Sequence, residues 1–299
     1  MLAGIASDRN PGLSFTGHFL DTNWPHIGRD DARIVTPFGA HCDDGHGRME
    51  LTAALMTLDM GLGTATRLFI QPGERIATAQ LYAQFTGAPL EGDFEVASRF
   101  AGLTQGDAVG QMLSSATATM NGRVVCHGNA AFVRLPPPPG TRTMAPLPWQ
   151  SAARADVPRL AAADLDEREA RILARCDTML EQGSANFLRR FWDIIPEADD
   201  DGATCLVTLG PHMANRVGHV QGGILLGLAA HTAMAAAPRH AVLSNLSAWF
   251  ISPGRGATLT CRSASIHAGR SFAVVKSEIV GEDGARVLEM VTAHAAGAA

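Results

Sequence analysis

The chain has 299 residues, 46% hydrophobic and 18% charged, with a formal net charge of −5. That length and composition suit one large domain or two ordinary ones and exclude wholesale disorder, while the negative balance argues against a general nucleic-acid binder. Five widely separated cysteines (Cys42, Cys126, Cys176, Cys205 and Cys261) contain no CxxC, so they provide neither a disulfide framework nor a zinc site and fit a reducing cytoplasm.

The opening MLAGIASDRNPG lacks a basic stretch followed by an apolar core, so no signal peptide is expected. The first 30 residues, rich in Gly, Asp, Asn and aromatic side chains, read as irregular structure leading into a strand at 32–37. A loop follows with His41, Cys42, Asp43, Asp44 and His46. Their spacing matches no structural zinc pattern, and a solvated loop is the expectation. Residues 50–66 form an apolar helix in which Leu55, Met56, Leu62 and Gly63 share a face with Asp59. Burying a carboxylate there costs several kcal/mol unless it is paired or protonated, which makes Asp59 a candidate functional group.

Strand signals then run over 81–85 and 94–100, and Asn121-Gly122 marks a hairpin. The run Pro136-Pro137-Pro138-Pro139-Gly140 reads as a stiff linker. A polar helix is expected over 164–182, with Asp164 as N-cap and Gly183 as C-cap. Its Leu165, Ile172, Leu173, Met179 and Leu180 would pack on the second half. Next comes NRVGHVQGG, from Asn215 to Gly223, running straight into an apolar helix over 224–237 that Pro238 ends. Gly218, Gly222 and Gly223 permit tight turns and close approach of a ligand to the backbone. The bare amides and dipole of the helix N-terminus favour developing negative charge. This is the chain's nearest approach to a membrane span, and it falls short of the ~20 residues required.

The chain also repeats itself. Leu81-Tyr82-Ala83-Gln84-Phe85 can be laid on Leu246-Ser247-Ala248-Trp249-Phe250, and hairpin signals recur at Asn121-Gly122 and Asp283-Gly284. Each half reads as a strand, a long helix, then four strands in an antiparallel meander.

The loop NxxGxxQGG, the apolar helix after it and the strand order over residues 204–294 resemble the hotdog-fold acyl-CoA thioesterases. The nearest resemblance is to the 4-hydroxybenzoyl-CoA and phenylacetyl-CoA group. That group usually has His where this chain has Gln221, and an acid nine positions later, where this chain has Ala230 followed by His231. The resemblance implies an α+β chain of two tandem hotdog modules, each an antiparallel sheet wrapped around one long central helix. The modules would occupy 1–135 and 164–299, with a Pro-rich linker at 136–163. In the first half Asp59 takes the acidic position, and Glu50-Leu51-Thr52 stands where the loop motif should be.

Each half therefore retains one part of the site, and the parts would meet across a fused pseudo-dimer. The implied activity is hydrolysis of an acyl-CoA, without metal or cofactor. Asp59 would be base or nucleophile, Gln221 would orient the thioester or water, and the Gly223 amide would hold the oxyanion. Asn215, Gly218, His219 and Gly222 would shape the substrate loop, and Arg216, Arg255 and Arg270 are candidates for the coenzyme A phosphates. The opposite corner, with His231 and Glu50, reads as degenerate. The alternative is a non-catalytic acyl-CoA-binding or sensing protein on the same fold; a hydratase lacks its motif. A cytoplasmic homo-oligomer of double-hotdog chains is expected, binding neither nucleic acid nor membrane.

Overall fold

The computed structural model describes residues 1–9, 14–70, 73–104, 110–136, 160–183 and 185–296. Most of the expected linker, 137–159, lies outside them. The first half supplies β1 (Asn23–Ile27), β2 (Asp31–Thr36), β3 (Arg75–Phe85), β4 (Phe94–Leu103), β5 (Met112–Met120) and β6 (Arg123–Leu135). The second supplies β7 (Glu197–Asp199), β8 (Gly202–Thr208), β9 (Ala241–Phe250), β10 (Thr258–Ala268), β11 (Phe272–Gly281) and β12 (Arg286–Ala296). Burial alternates residue by residue along strands such as β5, as it must where one sheet face covers a core. Asn121 and Gly122, at φ 49° and 74°, turn β5 into β6 in the left-handed conformation those residue types tolerate.

All these strands join one antiparallel sheet in the order β1-β2-β4-β5-β6-β3-β9-β12-β11-β10-β8-β7. The order reads alike from either end, as two copies related by a pseudo-twofold axis require. The axis passes between β3 and β9, where Tyr82 faces Ser247. The expected meander is corrected here: β3 pairs with β6 and β9, and β4 pairs with β2. Leaving the meander lets β3 join the two half-sheets into one.

Two central helices, α3 (Leu51–Thr64) and α6 (Gly222–Ala236), pack together inside this sheet. Both are apolar on nearly every side, the pattern of fully enclosed helices. Glycine sets how closely they approach. A Cβ on Gly223 would fall 2.3 Å from the Met56 Cα, and one on Gly227 would fall 2.3 Å from the Thr52 side chain.

The described residues among the first 30 are not wholly irregular. They form α1 (Leu2–Asp8), α2 (Phe15–Phe19) and β1, and they extend the repeat. Phe15, Phe19 and Asp21 correspond to Phe187, Phe191 and Asp193, with the two aspartates at φ 54° and 55°. Phe187–Phe191 is itself a helix, α5. Phe19 and Phe191 meet across the module boundary at 5.4 Å between ring centroids. The polar helix α4 spans Glu167–Glu181, and its N-cap is Asp166 rather than Asp164. The Asp166 carboxylate accepts from the Glu169 amide at 2.8 Å, whereas Asp164 ends a 3-10 turn. Ile172 and Cys176 are buried, Leu165, Leu173 and Met179 pack on the core, and Leu180 is exposed. Arg9 and Arg168 pair with Glu169 and Asp8, tying α4 to the end of α1.

Candidate active site

The central helices run antiparallel, so the second half of α3 lies beside the start of α6. That places Asp59 against Gln221. The Thr78 hydroxyl donates to Asp59 Oδ1 at 2.9 Å, and the Gln221 side-chain amide donates to Oδ2 at 3.3 Å. Gln221 is also the N-cap of α6, its Oε1 accepting from the Ile224 amide at 3.1 Å. With the oxygen committed to the helix, the amide NH2 is turned toward the carboxylate. Thr78 reaches Asp59 from β3 at a register break, between Thr78 and Gln80, in its pairing with β6. A bulge of this kind re-aims a side chain. Asp59 is 8% exposed. Burial pushes its carboxyl up to about 6, against the opposing pull of the Thr78 hydrogen bond and the Arg67 charge.

The glycine loop folds on itself. Asn215 Oδ1 accepts from the amides of Val217 and His219 at 3.0 and 3.1 Å, and Ala214 bridges to Val220. Gly218 has φ +81°, a conformation costly for other residues. Asn215 and Gly218 therefore shape the loop. Gly222 lies against the carboxylate: a Cβ there would come within 2.9 Å of Asp59 Oδ2.

A cavity of about 530 Å³ opens beside Asp59, within the range of ordinary small-molecule sites. Trp24, Met60, Ile76, Phe132, Leu225 and Phe250 give it apolar walls, and Asn215, Arg216, His219, Gln221 and Gly222 border it. Gly218 and Gly223 are not among its lining residues; Gly223 is packed against Met56. Of the three arginines proposed for coenzyme A, only Arg216 borders the cavity. Arg67, Arg75 and Thr78 also line it and were not singled out from the sequence. Burial and the Arg216 charge lower Arg67 to about 10, and burial lowers His219, with Arg75 and Arg255 acting in the same direction.

The opposite corner is built differently. Glu50 takes the place of Gln221 as N-cap of α3, accepting from the Thr52 amide at 2.7 Å. Its other oxygen is bonded to His231 Nε2. Burial opposes ionisation of Glu50, but the charge and hydrogen bond of His231, with the bonds from Thr52, hold its carboxyl below the usual value. Ala230, at the acidic position, is fully buried. The neighbouring loop copies the other: Asp44 Oδ1 accepts from the amides of His46 and Arg48, as Asn215 does from Val217 and His219. His41 bonds the Leu20 carbonyl. Among the described residues, no group of three or more His, Cys, Asp or Glu is placed to hold a metal, and no helix is long and apolar enough to cross a membrane.

Residues 211–296 match the family model of the acyl-CoA thioesterase N-terminal domain. Solved structures share the architecture over nearly the whole chain. A protein of Lactobacillus plantarum, provisionally an oleoyl thioesterase, is 14% identical with a TM-score of 0.56, covering 90% of this chain and 97% of its own. A conserved hotdog-fold protein of unknown function from Alicyclobacillus acidocaldarius is 11% identical with a TM-score of 0.53, covering 93% and 96%. A provisional thioesterase II of Thermobifida fusca is 15% identical with a TM-score of 0.52, covering 92% and 96%. No protein with a curated description matches the sequence. These findings show the tandem α+β hotdog fold, with the family-model match confined to residues 211–296. They give no support to the narrower resemblance to the 4-hydroxybenzoyl-CoA and phenylacetyl-CoA group.

Proposed function

We propose that this chain, a hotdog-fold thioesterase, hydrolyses an acyl-CoA to a free acid and coenzyme A at one composite site made of Asp59, Thr78 and Gln221. The observation that carries this reading is the Asp59 carboxylate, held by donors from both modules at the wall of a cavity. A carboxyl near 6 is mostly ionised at pH 7 yet basic enough to take a proton from water. In the reaction, Asp59 accepts a proton from water while the water oxygen bonds to the thioester carbon. Thr78 and Gln221 keep the carboxylate oriented and help place the water.

Charge developing on the carbonyl oxygen is met at the first turn of α6, by the amide of Gly222, which borders the cavity. One such donor is typically worth about 3 kcal/mol. Collapse of the tetrahedral intermediate breaks the carbon–sulfur bond, and the proton held on Asp59 is available to the thiolate. A thiol of pKa ~8.5, by analogy with cysteine, is a good enough leaving group without a strong acid. The Glu50–His231 corner has its groups bonded to each other and acts as a structural pair. The test is thiol release from a panel of acyl-CoAs. Wild type should turn over at least one class and Asp59→Asn should not. Binding without thiol release across the panel would favour a non-catalytic acyl-CoA-binding role.

A further inference from the structure

Two glycines on helices border the cavity beside Asp59 away from the α6 N-terminus: Gly17 of α2 and Gly63 of α3. Glycine is, proline apart, the least favourable residue inside a helix, so each position needs a reason. For the other glycines of the central helices the reason is close packing. A Cβ on Gly61 would fall 2.7 Å from Val96 Cγ1, Gly222 is pressed against the Asp59 carboxylate, and Gly223 and Gly227 set the approach of α3 to α6. Gly63 differs. A Cβ there would meet Phe132 Cε1 at 3.4 Å and Ile76 Cδ1 at 3.5 Å, which is ordinary van der Waals contact. A Cβ on Gly17 would lie 3.6 Å from Met60 Sδ. Neither glycine has a positive φ. Alanine therefore fits at both places, and neither backbone conformation nor packing calls for glycine. What the missing side chains leave is open cavity.

The pseudo-twofold axis supplies an internal comparison. Counting from Phe15 and Phe187, and from the N-caps Glu50 and Gln221, the second module has Arg189 and Met234 at the places of Gly17 and Gly63. The glycines thus belong to the corner that has Asp59, and long side chains stand at the corner that lacks it.

Gly63 follows Asp59 by one helical turn on the same face, roughly 6 Å along α3. Ile76 and Phe132 border the cavity beside it. Just beyond, the Trp24 indole Nε1 donates to Thr64 Oγ1 at 3.3 Å, which fixes the ring next to Gly63 at the cavity wall. An extended hydrocarbon with bonds of ~1.5 Å advances ~1.3 Å per carbon, so about five carbons beyond the reacting carbonyl reach Gly63.

We propose that Gly63 and Trp24 determine acyl specificity: the acyl chain runs from Asp59 along α3, over the bare face of Gly63, and ends against Trp24. The proposal rests on the thioesterase reading above and narrows its substrate to thioesters of apolar acyl groups of about six carbons. Each methylene that enters this arm should tighten binding roughly fourfold.

Thiol release from acetyl-, hexanoyl- and decanoyl-CoA is measured for wild type, Gly63→Ala, Gly63→Val and Trp24→Ala, with a melting curve for each. Wild type should have its highest kcat/KM on hexanoyl-CoA. Gly63→Ala should melt no lower than wild type, yet lower the hexanoyl-to-acetyl ratio of kcat/KM by about fourfold, one methylene's worth. Gly63→Val should lower it by about tenfold or more, and Trp24→Ala should raise the decanoyl-to-hexanoyl ratio. If Gly63→Val does not fold, Gly63→Ala decides. Gly63→Ala melting well below wild type would make the glycine a packing requirement and overturn the proposal, as would ratios that stay fixed in the Gly63 variants. Calorimetric binding of the thioethers S-ethyl-, S-hexyl- and S-decyl-CoA to the same proteins reads the arm without turnover. If wild type hydrolyses nothing, the same shifts in the thioether affinity ratios still support the arm, and unshifted ratios refute it.

Discussion

Replacing Asp59 with Asn should abolish turnover and make the protein more stable. The carboxyl rises from its ordinary value of 3.8 to about 6 on folding, chiefly through burial. An acid whose folded pKa is raised binds its proton more tightly when folded, so ionisation of Asp59 costs stability. That cost is absent below pH ~4, grows between pH ~4 and ~6, and is complete above. The shift of about 2 pH units corresponds to roughly 3 kcal/mol at pH 7. Asn avoids the cost and can still accept from Thr78. Its own NH2, however, would face the Gln221 NH2, which cannot turn without releasing the Ile224 amide. That mismatch returns ~1 kcal/mol or more, leaving a net gain of roughly 1–2 kcal/mol. Urea unfolding of both proteins at pH 7 and pH 4 measures it. The gain should be present at pH 7 and fade at pH 4, alongside lost thiol release. A variant less stable than wild type at pH 7, or still active, would make Asp59 a structural carboxylate.

Other outcomes follow from the same geometry. In wild type, kcat/KM should rise through pH ~6 and level off above it, as the base ionises. Thr78→Val removes a donor that favours the ionised form, so the rising limb should move to higher pH while the protein stays folded. His231→Ala leaves the Glu50 carboxylate buried and unpaired, at a cost of ~3–5 kcal/mol in unfolding experiments; thiol release per folded molecule should persist. Because the Glu50 carboxyl is depressed, its contribution to wild-type stability is present above the ordinary glutamate range and is lost as pH falls through the lower folded value. Hydrolysis surviving Asp59→Asn but lost in His231→Ala would exchange the roles of the two corners.

The parts of this account that the sequence disclosed are those written into consecutive residues. Asp59 stands out because a carboxylate among Leu55, Met56, Leu58 and Leu62 has no ordinary reason to be there. The loop from Asn215 to Gly223 stands out because its glycines and the following apolar run are contiguous. Thr78 could not be found this way: it reaches Asp59 through a bulge that exists only in the pairing of β3 with β6. The position of β3 beside β9 is likewise a property of the closed sheet, since an adjacent-strand expectation favours a meander. The helices α2 and α5 were legible in principle. FTGHFLD and FLRRFWD share F-x-x-x-F-x-D, a match too sparse to notice before the rest of the repeat is placed. Arg67 and Arg75 flank the segment that makes the first half longer than the second. No equivalent stretch pointed to them, and only the cavity gathers them with Arg216.

The central claim is that one working site is assembled from Asp59 and Thr78 of the first module and Gln221 of the second. Calorimetric titration with a non-hydrolysable thioether analogue of a turned-over acyl-CoA tests it most directly. Saturation near one equivalent per chain is expected, with Gln221→Ala weakening that single binding event. Two equivalent binding events per chain, or one that Gln221→Ala leaves unaffected, would contradict it.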